Sequence, residues 1–290
     1  MTRFLDVRAS AVGGHLAASV GVAEATSVGD YRSVELPGWL ADLQGRHVLI
    51  ATHGFNVDRK SGIACLSNWE GLLHLEPHSA LVGLLWPGDS VWAHGLDYPD
   101  EPRVANEAGR LLAPFIDANF GGAASISFAS HSLGARVVLE TVAAMTLPVR
   151  RTLLMAAAID DDCLKNEFKP AAAKIGEISA LSSKEDHVLS FLYPLGNFFA
   201  GIIAQGHPWW HGALGRSGPS APRPGNFQPP FLIPNNWGFD HGDYLRTDTP
   251  PAPQIPVPID VPPEGTNKPA NGVTGWHEAW TAAFARTRLG

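Results

Sequence analysis

Ser130-His131-Ser132-Leu133-Gly134 sets a serine between small residues, where an apolar β-rich run passes into a stretch of helical spacing. A hydrolase nucleophile needs this setting, because a serine raised on a strained strand-to-helix turn tolerates only small neighbours two positions away. Ser130 stands where the G-x-S-x-G pattern has glycine; it is small but carries a Cβ. Serine is also a common helix cap, so the pentapeptide alone leaves both roles open. Thr52-His53-Gly54-Phe55-Asn56 closes an earlier strand-like run, at the place where such an arrangement supplies a second amide to an oxyanion. The expected hole pairs the backbone N–H groups of Phe55 and Leu133, with Asn56 as the backup donor. Both motifs occur in the required order, each after a strand-like run, which favours a catalytic Ser132.

An acid and then a base should follow the nucleophile along the chain. Asp186 is the expected acid, in a polar loop that re-enters an apolar stretch at Val188; an aspartate there can also cap a helix. Asp160, at the end of the preceding strand-like run, is the alternative acid. Twelve histidines compete for the base. His53 belongs to the oxyanion motif, His131 adjoins the nucleophile and His187 adjoins the acid. His241, alone in a loop beside Gly242 and ahead of a short apolar run, is the expected base, with His207, His211 and His277 as weaker candidates.

Residues 47–55, 80–88, 125–130, 151–160 and 177–183 are short apolar runs that read as strands, and residues 101–120 and 132–145 have helical spacing. Strands without polar alternation, interleaved with helices, predict a mostly parallel sheet covered on both faces, an α/β architecture. The whole chain, 1–290, reads as one domain with a core at about 46–245. Residues 189–235 would insert a lid between acid and base, residues 246–273 form a proline-rich irregular segment, and residues 274–288 a closing helix.

Taken together, His53 to Asn56, Trp86-Pro87, Ser130 to Gly134, Ala158 to Asp160, Asp186 with Val188-Leu189, and His241-Gly242 resemble the α/β-hydrolase superfamily. The similarity extends to a bacterial group of serine hydrolases of unassigned function with an S-H-S-x-G elbow. That group shares the departure from G-x-S-x-G, so Ser130 weighs less against catalysis. The resemblance spans roughly residues 46–245 and implies the fold and the Ser132, Asp186, His241 triad, but little about substrate.

The net charge of −7 and the lack of a Lys/Arg cluster disfavour nucleic acid and anionic membranes as partners. The two cysteines, Cys65 and Cys163, indicate neither a disulfide framework nor a zinc site, and a reduced, cytoplasmic setting is expected. Residues 11–23 faintly resemble a leader, but His15 and two glycines interrupt them. Residues 189–204 approach a membrane-spanning length, yet Pro194, Gly196, Asn197 and Gly201 break the run. No metal or organic cofactor is required by the triad chemistry. The expected substrate is an uncharged ester of short or medium acyl chain. His131, Trp86, Tyr98, Phe191, Phe198 and Trp209 are the candidate pocket residues, with Asp89 and Trp92 as neighbours on one wall. The alternatives are lipase, thioesterase, amidase or acyltransferase chemistry on the same triad, or a non-catalytic binding module. Oligomeric state is not legible.

Overall fold

Seven consecutive buried residues, Ser79–Leu85, form a strand whose side chains point alternately to opposite faces, so both faces of the sheet are covered there. The computed structural model describes residues 1–26, 30–73, 75, 78–89, 101–190, 212–228, 231–233, 235 and 239–244. Nine strands make one sheet: β1 (Thr2–Arg8), β2 (Leu16–Ala25), β3 (Arg32–Ser33), β4 (His47–Thr52), β5 (Ser79–Leu85), β6 (Ser125–His131), β7 (Val149–Met155), β8 (Ile175–Ser182) and β9 (Phe231–Leu232). Their spatial order is β3-β2-β1-β5-β4-β6-β7-β8-β9. All neighbours from β1 through β5 to β9 run parallel, and β2 and β3 add an antiparallel edge. The order turns back on itself at β4, β5 and β6, where the first crossovers diverge, and the C-terminal ends of β4 and β6 meet side by side with Thr52 opposite Ser130. Crevices outside such strand ends are where α/β sheets hold ligands.

All five expected strands form, with shifts of a few residues at their ends. The first stops at Thr52 because residues 53–56 turn out of the sheet, Asn56 with a left-handed φ of 58°. The run expected over 151–160 leaves the sheet after Met155, where Ala156 takes a φ of 45°. The two expected helices also form, as α3 (Glu101–Asn119) and α4 (Gly134–Ala144), and they pack on each other.

Other elements had no counterpart in the sequence reading. Residues 1–25, outside the resemblance, build the β1–β2 hairpin, and β1 docks parallel to β5. Helix α2 (Arg59–Leu72) is interrupted by Gly62 and Gly71 and lacks a clean apolar stripe; Asp58 starts it by accepting the Ser61 N–H at 2.7 Å. Short helices α1 (Leu36–Ala41), α5 (Lys169–Lys174) and α6 (Leu214–Ser217) also form. Within residues 189–235, Leu214 and Gly215 bond to Ile159, Ala157 and Ser183, and β9 extends the sheet beyond β8. The proline-rich segment and the closing helix lie outside the described residues. No described helix is long and apolar enough to cross a membrane.

Candidate active site

Ser132 sits between the end of β6 and the start of α4 with φ +52°, a left-handed backbone that costs a non-glycine residue about 1–3 kcal/mol. The surrounding chain imposes it. The Ser132 N–H donates to Met155 O at 2.9 Å, and its carbonyl accepts from the Ala135 and Ala158 N–H groups at 3.1 and 3.2 Å. Helix α4 has no side-chain cap, and the Ser132 hydroxyl points elsewhere, so of the two roles open in the sequence the capping one is not taken. Neighbouring chain crowds the turn. A Cβ on Gly134 would lie 2.4 Å from His53 O, and one on Gly54 would lie 2.7 Å from the Ser132 Cβ and 3.3 Å from its Oγ. Ser130 is tolerated in the glycine place because its buried side chain lies toward β7, with Oγ 3.5 Å from Leu153 O.

The hydroxyl meets a histidine brought from 109 residues later in the chain. His241 Nε2 lies 2.9 Å from Ser132 Oγ, and His241 Nδ1 lies 2.8 Å from Asp186 Oδ2. A carboxylate only accepts, so Nδ1 carries the proton and Nε2 offers its lone pair to the serine. Asp186 is fully buried, and its Oδ1 accepts the Leu189 N–H at 2.8 Å. It therefore caps the helical turn that follows and accepts from His241 at once. His241 opens a 3-10 turn, His241–Asp243, capped by Asp240, whose carboxylate accepts the His241 N–H at 2.8 Å and the His187 N–H at 3.0 Å. Ser183 Oγ donates to Phe239 O at 2.6 Å. The loop of His241 is thus sewn to the loop of Asp186 at the two residues that precede His241.

The turn after β4 packs closely against the turn at Ser132. His53 is 1% exposed, and its Nδ1 donates to the Gly54 carbonyl at 2.9 Å. In a planar trans peptide the next N–H points opposite that carbonyl, so this bond sets the direction of the Phe55 amide. The Asn56 N–H donates to Gly88 O at 2.7 Å, leaving its exposed side chain as the part that can reach outward.

Residues 34–195, more than half of the chain, match the model of a protein family described as alpha/beta hydrolase of unknown function (DUF900). The chain belongs to this α/β-hydrolase family. The match includes Ser132, Asp186 and the turn after β4, and ends before His241. No curated protein matches the chain. Among solved structures, esterase B from Lactobacillus Rhamnosis (HN001) is similar over 85% of this chain and 75% of that one, at 9% identity and a TM-score of 0.36. A likeness this loose does not bear on what the present α/β hydrolase does.

The remaining candidates divide three ways. Trp86, expected on the pocket wall, is corrected to a support: it is fully buried under the oxyanion turn, stacked on His53, with Nε1 donating to His53 O at 3.0 Å. Asp89 likewise faces inward, paired with the buried Arg8 guanidinium and accepting the Gly13 N–H at 2.9 Å. His131 is half-buried, with its ring centroid 4.8 Å from that of His241. Asp160 forms an isolated backbone bridge to Ala213, while the bond to His241 is made by Asp186. Trp92, Tyr98, Phe191, Phe198, Trp209, His207, His211 and His277 lie outside the described residues.

Two imidazoles at the α/β hydrolase's site are held neutral. Burial pushes His53 down to about 4, with the Arg8 charge adding to the effect. Burial, followed by the proximity of His241, pushes His131 down to about 3. Asp240 goes the other way for an acid: burial would raise it, but the His241 and His187 amides outweigh that and keep it charged. Tyr244, buried beside His131 and Phe239, is raised by burial and then by Asp186. No group of three or more His, Cys, Asp or Glu among the described residues is placed to hold a metal ion.

Sequence reasoning missed Asp240, Ser183 and Arg8. For Asp240 a signal existed: Asp240 and Asp243 have the three-residue spacing of a reciprocal cap. For Arg8 there was none, because its partners lie 81 and 78 residues away at Asp89 and Trp86.

Proposed function

We propose that this α/β hydrolase cleaves carboxylic esters through a Ser132-His241-Asp186 triad and an acyl-enzyme. The observation that carries the reading is the single file from buried carboxylate to imidazole to hydroxyl, 2.8 and 2.9 Å long, at a left-handed strand-to-helix turn. His241 Nε2 takes the Ser132 proton as Oγ attacks the ester carbonyl. Asp186 holds the Nδ1–H tautomer and stabilises the imidazolium. The Leu133 and Phe55 amides bind the oxyanion, the former aimed by the pinned Ser132 carbonyl and the latter by the pinned Gly54 carbonyl. The imidazolium then protonates the leaving alcohol, and water, deprotonated by the same histidine, releases the acid. An uncharged ester of short or medium acyl chain is the proposed substrate, in keeping with a net charge of −7 and no cationic cluster to receive an anionic one.

The test is labelling with a fluorophosphonate, followed by mass spectrometry of the modified peptide. The expected result is one adduct, on Ser132, absent from Ser132→Ala and His241→Ala. Folded wild-type chain that takes up no label would overturn the reading. A graded series of p-nitrophenyl acyl esters then measures chain-length preference, and matched thioesters and anilides separate esterase from thioesterase and amidase.

A further inference from the structure

His131 is placed to do something the triad does not include. Its Nε2 lies 2.8 Å from the backbone carbonyl of His241. A carbonyl only accepts, so Nε2 carries the proton and Nδ1 is bare; Nδ1 faces Gly54, where a Cβ would come within 3.1 Å of it. His241 is therefore held at two points by two consecutive residues: its carbonyl by His131 and its Nε2 by Ser132.

The other bonds of this loop run to the acid's side of the site, from His187 and Ser183. Those bonds, with the one to Asp186, would let the loop pivot about the acid, preserving the His–Asp contact while lengthening the His–Ser one. The His131 bond blocks that pivot, because it measures the base against the nucleophile's own strand. Resting on the triad reading above, we infer that His131 is a positioning residue for the base, holding the His241 carbonyl so that its imidazole stays within hydrogen-bonding reach of Ser132. The titratable groups facing it are His53 from the turn after β4 and His241 and Tyr244 from the late loop. His131 remains an N–H donor through the cycle and never competes for the serine proton.

The test compares the full-length wild-type chain with His131→Ala, His131→Gln and His131→Asn. Glutamine places an amide N–H near the position of imidazole Nε2, whereas asparagine places it near Nδ1. Displacement of a base by about an ångström costs up to roughly 100-fold. Alanine and asparagine should therefore slow both fluorophosphonate labelling and kcat by about 10- to 100-fold with KM little changed, and glutamine should recover most of the rate. A merely structural role would lower the melting midpoint without separating glutamine from asparagine. Wild-type rates in His131→Ala, or glutamine no better than alanine, would overturn the inference while leaving the triad intact. Absence of any Ser132 label in wild type overturns the triad, and this inference with it. Should the variants not fold, long-range imidazole nitrogen–proton NMR on the wild-type chain decides: His131 should hold the neutral Nε2–H tautomer from pH 5 to 8 as the bond requires, and a Nδ1–H tautomer removes the bond and the inference.

Discussion

The turn after β4, the proposed oxyanion side, and the loop of His241, the proposed base side, face each other across Ser132, and they are held in place by different physics. Beneath the turn after β4, Arg8 at the end of β1 is completely buried; it pairs with Asp89 and donates to the carbonyls of Trp86 and Val57 at 2.8 and 3.2 Å and to those of Ser10, Ala11 and Gly13. One guanidinium thereby gathers three loops, and the His53 and Trp86 rings stack on each other at the same turn. Among the described residues no buried guanidinium gathers the loop of His241, whose one buried charged partner is the Asp186 carboxylate. The loop is a 3-10 turn of three residues held by hydrogen bonds from Ser183, His187 and His131 and by the cap at Asp240. Removing the Arg8 guanidinium would strand the Asp89 carboxylate inside the protein, whereas the contacts of the His241 loop are made singly, about 0.5–1.5 kcal/mol for a neutral hydrogen bond and about 1.5–3 kcal/mol where a carboxylate accepts. The oxyanion side is thus built into the fold, and the base side is held by several small, separable contacts.

That contrast can be broken from either side. Ser132→Ala, common to both, should abolish labelling and reduce ester turnover by on the order of 10⁴-fold or more without lowering the melting midpoint, as measured by p-nitrophenyl ester assay and thermal unfolding. Arg8→Met should destabilise the chain by about 3–5 kcal/mol in urea unfolding, by leaving Asp89 buried without its cation; a loss within a few tenths of a kcal/mol would mean that the oxyanion side is no better anchored than the base side.

Acid sharpens the same comparison, because the neutral His53 belongs to the anchored side. A free imidazole protonates near 6.5 and the folded one only near 4, so the unfolded chain takes up the proton first. The contribution is fully present above pH 6.5 and is lost as the pH falls towards 4, on the order of 3 kcal/mol from this residue. Urea midpoints measured between pH 7 and 4 should fall accordingly, and less steeply in His53→Gln. Gly54→Ala pushes a methyl into the 2.7 Å gap at Ser132 and should slow fluorophosphonate labelling roughly 100-fold. The smallest effect is expected on the base side: Asp240→Ala removes a cap worth about 1 kcal/mol, and should reduce kcat by about tenfold as the loop loosens. Equal losses for Gly54→Ala and Asp240→Ala would erase the distinction between the two sides.

Much of the fold was legible because it follows from local pattern. The β4, β5, β6, β7 and β8 runs are apolar on both faces, which only a covered parallel sheet accommodates, and α3 and α4 carry regular apolar spacing. The β1–β2 hairpin was not legible, since three of the ten residues of β2 are exposed and four half-buried, and its turn through Gly13 and Gly14 reads as an interruption rather than as a strand connection. Trp86 was misplaced for a related reason: its position just past a strand end suggests a pocket wall, and only packing shows that its indole lies beneath the turn, bonded to His53.

By itself the sequence determined the residue types at the strand ends: a serine between small neighbours, a His-Gly turn, an aspartate and a loop histidine, in the order a hydrolase requires. It determined these because strain at a turn and the burial of a strand act over a few residues and leave their mark in composition. Only the tertiary structure decided which carboxylate meets His241, that His131 bonds the His241 carbonyl, and that Arg8 pairs with Asp89 beneath the turn after β4. Those relations join positions 55, 110 and 81 residues apart, and a hydrogen bond of about 3 Å is set by how the sheet is packed, not by any spacing along the chain.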